Sequence, residues 1–165
     1  MRAIGISVHT GWGACVVVDG ALRHPQVIGN KVVELLDDAE RFCYHRAAEM
    51  EAASARQWLA RVRAKALDRA RSELALLLEQ NVRVGAIVAK DGALPDLDEA
   101  LATHMRIHSA EGLFYRDVFR DACRITCHII PPASLEITVV GRLATSPWGR
   151  DQRLAALAAW QVMGR

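Results

Sequence analysis

A long segment without proline or glycine is the feature that most restricts the fold of this chain. Neither residue occurs from Asp38 to Gln80, and apolar side chains recur there at every fourth position. They are Trp58, Val62, Ala66, Ala70, Leu74 and Leu78. This period places them on one face of an amphipathic helix. Because a single helix over the whole segment would be unusually long for a globular protein, a break within it remains open.

Strand patterns lie on both sides of this helix. The segments that predict strands are Ala3–His9, Trp12–Asp19, Val27–Leu36, Val82–Ala89 and Ile125–Ile130. The first three are linked by the turn signals Thr10-Gly11 and Asp19-Gly20 and by Pro25, which predicts an antiparallel meander.

Two more helices are predicted after the fourth strand. One runs from about Asp96 to Ala122, with Gly112 as a possible division, and the other from Arg150 to Met163. Ser146-Pro147 is a suitable start for the last helix, with serine as the N-cap. Ala133–Val140 fits a strand or a helix. The order β-β-β-α-β-α-β-α predicts an α/β fold, a mixed five-stranded sheet with helices on both faces.

Composition limits the class of protein. A chain of 165 residues with 52% hydrophobic and 24% charged residues predicts one globular domain over 1–165. A net charge of +2 does not by itself indicate nucleic-acid binding. The N-terminus has no signal-peptide pattern, no apolar run is long enough to cross a bilayer, and the four cysteines form no CxxC pair. We therefore expect a cytoplasmic protein with reduced thiols.

Three stretches resemble RuvC-type Holliday-junction resolvases, which have the ribonuclease H-like fold. They are IGISVHTGWGACVV near the start, VGAIVAKDGAL in the middle, and IIPPASLEITVVGRLATSPWGRDQRLAAL near the end. The resemblance implies a two-metal nuclease in which clustered carboxylates hold two Mg²⁺ ions.

The carboxylates that the resemblance implies are missing from the matching positions. The first-strand aspartate falls at Ser7, and the glutamate that ends the fourth strand falls near Val88–Lys90. The last acids of the family would begin about where the chain ends, at Arg165, and Asp151 comes too early to match them. We therefore expect the fold without resolvase-type nuclease activity.

A relocated catalytic site could be built from Ser7, His9 and Asp91 or from His104, His108 and Glu111. Ser7, His9, Thr10 and Asp91 are expected to line the cleft where this fold places ligands. His104, His108 and Glu111 share one face of a helix and could bind Zn²⁺ or Fe²⁺. The alternative for the second group is an ordinary polar helix face. His128 is a candidate fourth ligand or a core residue, and Cys43 with His45 forms either a nucleophile pair or part of the packing.

A basic stripe runs along the long helix. Arg61, Lys65 and Arg69 are spaced by four residues and are candidates for contact with nucleic-acid phosphates. The alternative is a solvated face opposite the apolar one.

The favoured function is a non-catalytic binding or scaffolding module, with nucleic acid or a protein as its partner and a homodimer through the long helix as one possibility. No cofactor and no membrane association are predicted. The alternative is a hydrolase or nuclease that uses a divalent metal in a non-standard site.

Overall fold

The computed structural model describes residues 1–136 and 148–164. The strands in these ranges are β1 (Arg2–His9), β2 (Trp12–Ala21), β3 (His24–Glu34), β4 (Val82–Val88) and β5 (Cys127–Ile130). The helices are α1 (Cys43–Ala47), α2 (Ala52–Leu78), α3 (Leu97–Leu101), α4 (His104–Cys123) and α5 (Arg150–Val162), with a 3₁₀ turn at Pro132–Ser134. None of the helices in these ranges is long and apolar enough to cross a membrane.

The strands form one mixed sheet in the order β3-β2-β1-β4-β5. The meander pairs β1 with β2 and β2 with β3 in antiparallel fashion, whereas β4 pairs parallel with β1 and β5. Parallel pairing follows from the helices between β3, β4 and β5. Each of these connections returns the chain to the end of the sheet at which the preceding strand began, so the next strand runs in the same direction. The mixed five-stranded sheet predicted from the sequence is confirmed.

The alternation of β1 decides which residues meet which helix layer. Ile4 and Ile6 are fully buried in the core beneath α2 and α4. Ala3 lies in the opposite core, which is formed with α5. Since successive side chains in a strand point to opposite faces, Gly5, Ser7 and His9 share the α5 face with Ala3. The helices therefore cover both faces, and β1 presents its polar end to α5.

Gly5 allows α5 to approach β1 at backbone distance. A Cβ atom at this position would lie 1.8 Å from the carbonyl oxygen of Ala155. This close approach brings the first turn of α5 against the end of β1.

The helix of the 38–80 segment is broken. It starts only at Cys43, and the break between Ala47 and Ala52 separates α1 from α2. The predicted apolar face is confirmed, since Val62, Ala66, Ala70 and Leu74 are fully buried.

The second predicted helix divides earlier than expected. Gly112 lies inside α4, and the break falls before Thr103, whose side chain accepts a hydrogen bond from the backbone of Arg106. A threonine N-cap begins a new helix there, whereas an internal glycine costs a helix only about 1 kcal/mol.

The remaining boundaries shift by a few residues. The second hairpin turn lies at Leu22-Arg23 and not at Asp19-Gly20, and β5 begins two residues later than predicted. The helix predicted from Arg150 is confirmed. The Ser146-Pro147 start and positions 137–140 lie outside the described residues.

Candidate functional site

A cleft opens at the carboxyl ends of β1 and β4. Its cavity has a volume of about 220 Å³, and its polar lining consists of Ser7, His9, Lys90, Arg150 and Asp151. In α/β sheets the carboxyl ends of parallel strands are the usual place for a ligand. The cleft is therefore the first candidate for a functional site.

Asp151 joins the two polar residues of β1. Its Oδ1 atom accepts a hydrogen bond from Ser7 Oγ at 3.1 Å and lies 2.7 Å from His9 Nε2. The imidazole of His9 stacks on Trp12, with 4.3 Å between ring centroids and 7° between planes. The carboxylate of Asp151 thus binds the side chains of both Ser7 and His9.

This geometry is not that of an activated serine. A nucleophilic serine must pass its proton to a base, which is the imidazole in a serine–histidine–aspartate triad. Here the Ser7 hydroxyl donates to the carboxylate, and the imidazole binds the same oxygen. The three residues form a structural bridge between β1 and α5.

Lys90 and Arg150 add positive charge to the cleft. Both side chains are exposed, and the Lys90 ammonium lies 3.4 Å from the Ser109 hydroxyl. Asp151 is the single carboxylate of the lining among the described residues. The cleft therefore carries two cations and one carboxylate, which already has two partners.

A buried arginine fixes the loop that carries Lys90. Arg116 is 3% exposed and donates to the backbone carbonyls of Lys90 and Gly92, at 3.1 and 2.7 Å. Its remaining donors bind Asp117 Oδ1 at 2.9 and 2.7 Å. The pair satisfies the buried guanidinium and positions the backbone beside the cleft.

The structure brings together only some of the predicted cleft residues. Ser7 and His9 line the cleft, while Thr10 sits in the hairpin turn and is not part of the lining. Asp91 also lies outside the lining, and its carboxylate accepts from the amide of Gly92 at 2.8 Å. Asp151, which comes too early in the chain to match the last acids of the family, occupies the cleft instead.

The three side chains of the basic stripe on α2 already interact with neighbouring groups. Lys65 pairs with Glu40, and Arg69 pairs with Glu73 at 2.9 Å. The guanidinium of Arg61 lies over the Trp58 ring, 4.9 Å from its centroid. Exposed ion pairs of this kind contribute little to stability, so they do not prevent an exchange for phosphate.

The predicted histidines of α4 face each other, and a third histidine joins them. The Nε2 atoms of His104 and His108 are 2.9 Å apart, and the His45 ring lies 4.7 Å from that of His108. The sequence predicts Glu111 as a direct ligand, but this residue lies behind His45 and contacts Nδ1 of that ring at 2.9 Å. His128 lies on β5 and is not part of this cluster.

No helical spacing in the sequence connects His45 with α4. His45 belongs to α1, and only the packing of α1 on α4 brings its ring close to His104 and His108.

The Cys43–His45 nucleophile hypothesis is wrong, because Cys43 is buried against the Tyr115 hydroxyl and burial raises its pKa to about 12.

Comparison with solved structures finds RuvC of Thermus thermophilus. The structure of that protein in complex with a Holliday junction substrate aligns with a TM-score of 0.55 and 13% identity, over 97% of this chain and 91% of that one. A second Thermus thermophilus RuvC structure gives 0.51 and 14%, over 99% and 97%. Neither the protein-family models nor the curated proteins give a match. The chain therefore has a RuvC-like, ribonuclease H-like fold.

Proposed function

We propose that this protein is a non-catalytic nucleic-acid-binding module that contacts the phosphate backbone through the cleft at the ends of β1 and β4. The observation that carries the proposal is the charge of that cleft. In the described lining, Lys90 and Arg150 are accompanied by one carboxylate, Asp151, which Ser7 and His9 already bind.

Such a lining suits an anion better than a pair of divalent cations. Mg²⁺ is a hard cation that takes oxygen ligands, and two-metal sites hold the ions about 4 Å apart between several carboxylates. A serine hydroxyl at position 7 and an ammonium at position 90 do not supply such ligands. Phosphates, in contrast, are bound by lysine and arginine side chains.

The solved RuvC complex supports the choice of nucleic acid, because that protein was captured with a Holliday junction substrate. We propose branched or duplex DNA as the ligand class. The stripe of Arg61, Lys65 and Arg69 is proposed as an additional phosphate contact, made once the surface ion pairs open. A homodimer and a cytoplasmic location stay predictions from the sequence.

The test compares charge reversals in the cleft and at the opposite end of β4. Lys90→Glu combined with Arg150→Glu removes the cations of the cleft, while Arg83→Glu reverses an exposed charge at the opposite end of the strand. Binding of a fluorescent four-way junction is measured by anisotropy over a series of salt concentrations.

The double variant is expected to bind at least about tenfold more weakly. Its salt dependence should fall by about two counterions, one for each phosphate that the protein no longer neutralises. Arg83→Glu should stay close to the unmodified protein. Equal binding by the double variant, or absence of binding at low salt, would contradict the proposal.

A further inference from the structure

Three imidazoles converge on the outer side of α4, apart from the residues used in the proposed function. They belong to His45, His104 and His108, and one ring nitrogen from each lies within 4.8 Å of the others. His104 and His108 are exposed and His45 is partly exposed, so ions in solution can reach the cluster.

The local structure holds two of the ligands in place. Thr103 caps α4 by accepting a hydrogen bond from the Arg106 amide, so His104 is the first residue of the helix. His108 follows four residues later on the same face, which is a common arrangement for two metal-binding histidines. Their Nε2 atoms are already 2.9 Å apart.

Glu111 positions the third ligand. Its Oε1 atom accepts hydrogen bonds from the amides of Tyr44 and His45 at 3.1 and 3.3 Å, and it lies 2.9 Å from His45 Nδ1. In the neutral tautomer that donates from Nδ1 to this oxygen, Nε2 keeps its lone pair and is free to bind a metal. A carboxylate behind a histidine is the usual outer contact of a metal-bound imidazole.

The burial of Glu111 gives a second reason to expect a cation. The side chain is 1% exposed, and its Oε2 atom has no hydrogen-bond partner among the described residues. The hydrogen bonds of Glu111 are all made by Oε1, so the buried carboxylate is only partly compensated by its neighbours. A metal ion beyond His45 would place positive charge on the far side of the imidazole that contacts this carboxylate.

We propose that His45, His104 and His108 bind a transition-metal ion of the Zn²⁺ class, with Glu111 as the positioning residue. Imidazole ligands suit Zn²⁺, Co²⁺ and Ni²⁺ and do not suit Mg²⁺. A Zn–N bond of about 2.0–2.1 Å places tetrahedral ligand atoms about 3.3 Å apart, which small side-chain rotations of these rings can reach. Three protein ligands leave a fourth position for water.

A metal in this position would connect two elements that are distant in sequence. His45 lies in the short helix α1, which is separated from α2 by a break, and the other two ligands lie in α4. The ion would therefore fix α1 on α4. Gly112, one turn after His108, lines the cleft, so the metal site and the cleft share α4.

The first test titrates Zn²⁺ into untagged, chelator-treated protein and measures binding by calorimetry. We expect one ion per chain and an increase in the melting temperature. His45→Ala and His108→Ala should each weaken binding at least about tenfold, because each removes one ligand of the ion. His24→Ala, which removes an exposed histidine of β3, should bind as the unmodified protein does. Absence of binding, or full affinity in His45→Ala, would overturn the proposal.

The second test concerns Glu111. Glu111→Gln keeps the shape of the side chain and removes its charge, and should weaken Zn²⁺ binding about 10–100-fold. Co²⁺ provides an independent readout, because its visible absorption changes when the geometry of the imidazole ligands changes. A folded Glu111→Gln variant with unchanged affinity and an unchanged Co²⁺ spectrum would refute the positioning role. If this variant does not fold, the exposed histidine variants still decide whether the site exists.

Discussion

Ser7 occupies the position at which the resemblance to the resolvases implies a metal-binding aspartate. It is 2% exposed and donates to Asp151 on α5. This position on β1 faces the cleft because of strand alternation alone. An acid here would meet a second carboxylate, whereas serine donates a hydrogen bond to the carboxylate of Asp151.

Ser7→Asp therefore gives a direct prediction. The new carboxylate would lie beside the partly exposed Asp151, and repulsion between the two like charges should lower the melting temperature. Mg²⁺ should raise it again, since two carboxylates can share the ion. Ser7→Ala is the control: it loses one hydrogen bond, worth about 1 kcal/mol, and should show no response to Mg²⁺. An equal Mg²⁺ response in the unmodified protein would contradict this account.

Thiol reactivity offers a second prediction at the scale of residues. Burial raises the pKa of Cys15 and of Cys43 to about 12, which keeps both thiols protonated. The hydrogen bond from Cys123 lowers the pKa of the partly exposed Cys127; burial opposes this effect, and the charge of Arg120 adds to it. Because the thiolate is the reactive form, Cys127 should react first with a disulfide reagent at neutral pH.

The measurement is a time course of thiol modification in the native protein. Cys127→Ser should remove the fastest phase, and Cys15→Ser should leave it unchanged. A fast phase that persists in Cys127→Ser would show that another thiol is the reactive one.

At the scale of elements, the close approach of α5 to β1 depends on Gly5. A methyl group there would overlap the Ala155 carbonyl, whereas a Cβ at Gly112 in α4 has no atom within 4 Å. Gly5→Ala should cost at least about 2 kcal/mol of unfolding free energy, because strand and helix must separate. Gly112→Ala should be neutral or stabilise by up to about 1 kcal/mol, since alanine favours the helix.

Denaturant unfolding of the two variants measures both free energies. Equal stability of Gly5→Ala and the unmodified protein would contradict the packing of α5 on β1.

Helices and strands could be predicted from the sequence where a local residue pattern determines them. The buried stripe of α2 follows from its four-residue period, and the hairpin of β1 and β2 follows from Thr10-Gly11. The helix breaks were less predictable. Gly112 is tolerated inside α4 because the packing of the buried side chains around it, such as Phe114 and Val118, outweighs the low helix propensity of glycine.

At the scale of the whole molecule, the candidate sites depend on contacts that no local pattern encodes. Asp151 reaches Ser7 across a separation of 144 positions, and His45 reaches Glu111 across 66. Both contacts arise where a helix docks on another element. The sequence therefore indicated β1 and the histidines of α4, but not the partners that complete each cluster.

The charge of the cleft is also a property of the assembled fold. Lys90 follows β4, Arg150 begins α5, and the buried Arg116 holds the loop after β4 in position. The RuvC-like fold is thereby combined with a lining in which the described residues supply two cations, Lys90 and Arg150, and one carboxylate, Asp151. The proposed function is therefore binding of DNA without cleavage.

The most direct measurement is a cleavage assay on the bound complex. A labelled four-way junction is saturated with protein, Mg²⁺ or Mn²⁺ is added, and the strands are separated on a denaturing gel. We expect a stable complex whose strands stay intact. Cleavage that depends on the metal and disappears in Asp151→Asn would contradict it, because the cleft would then contain a working nuclease centre.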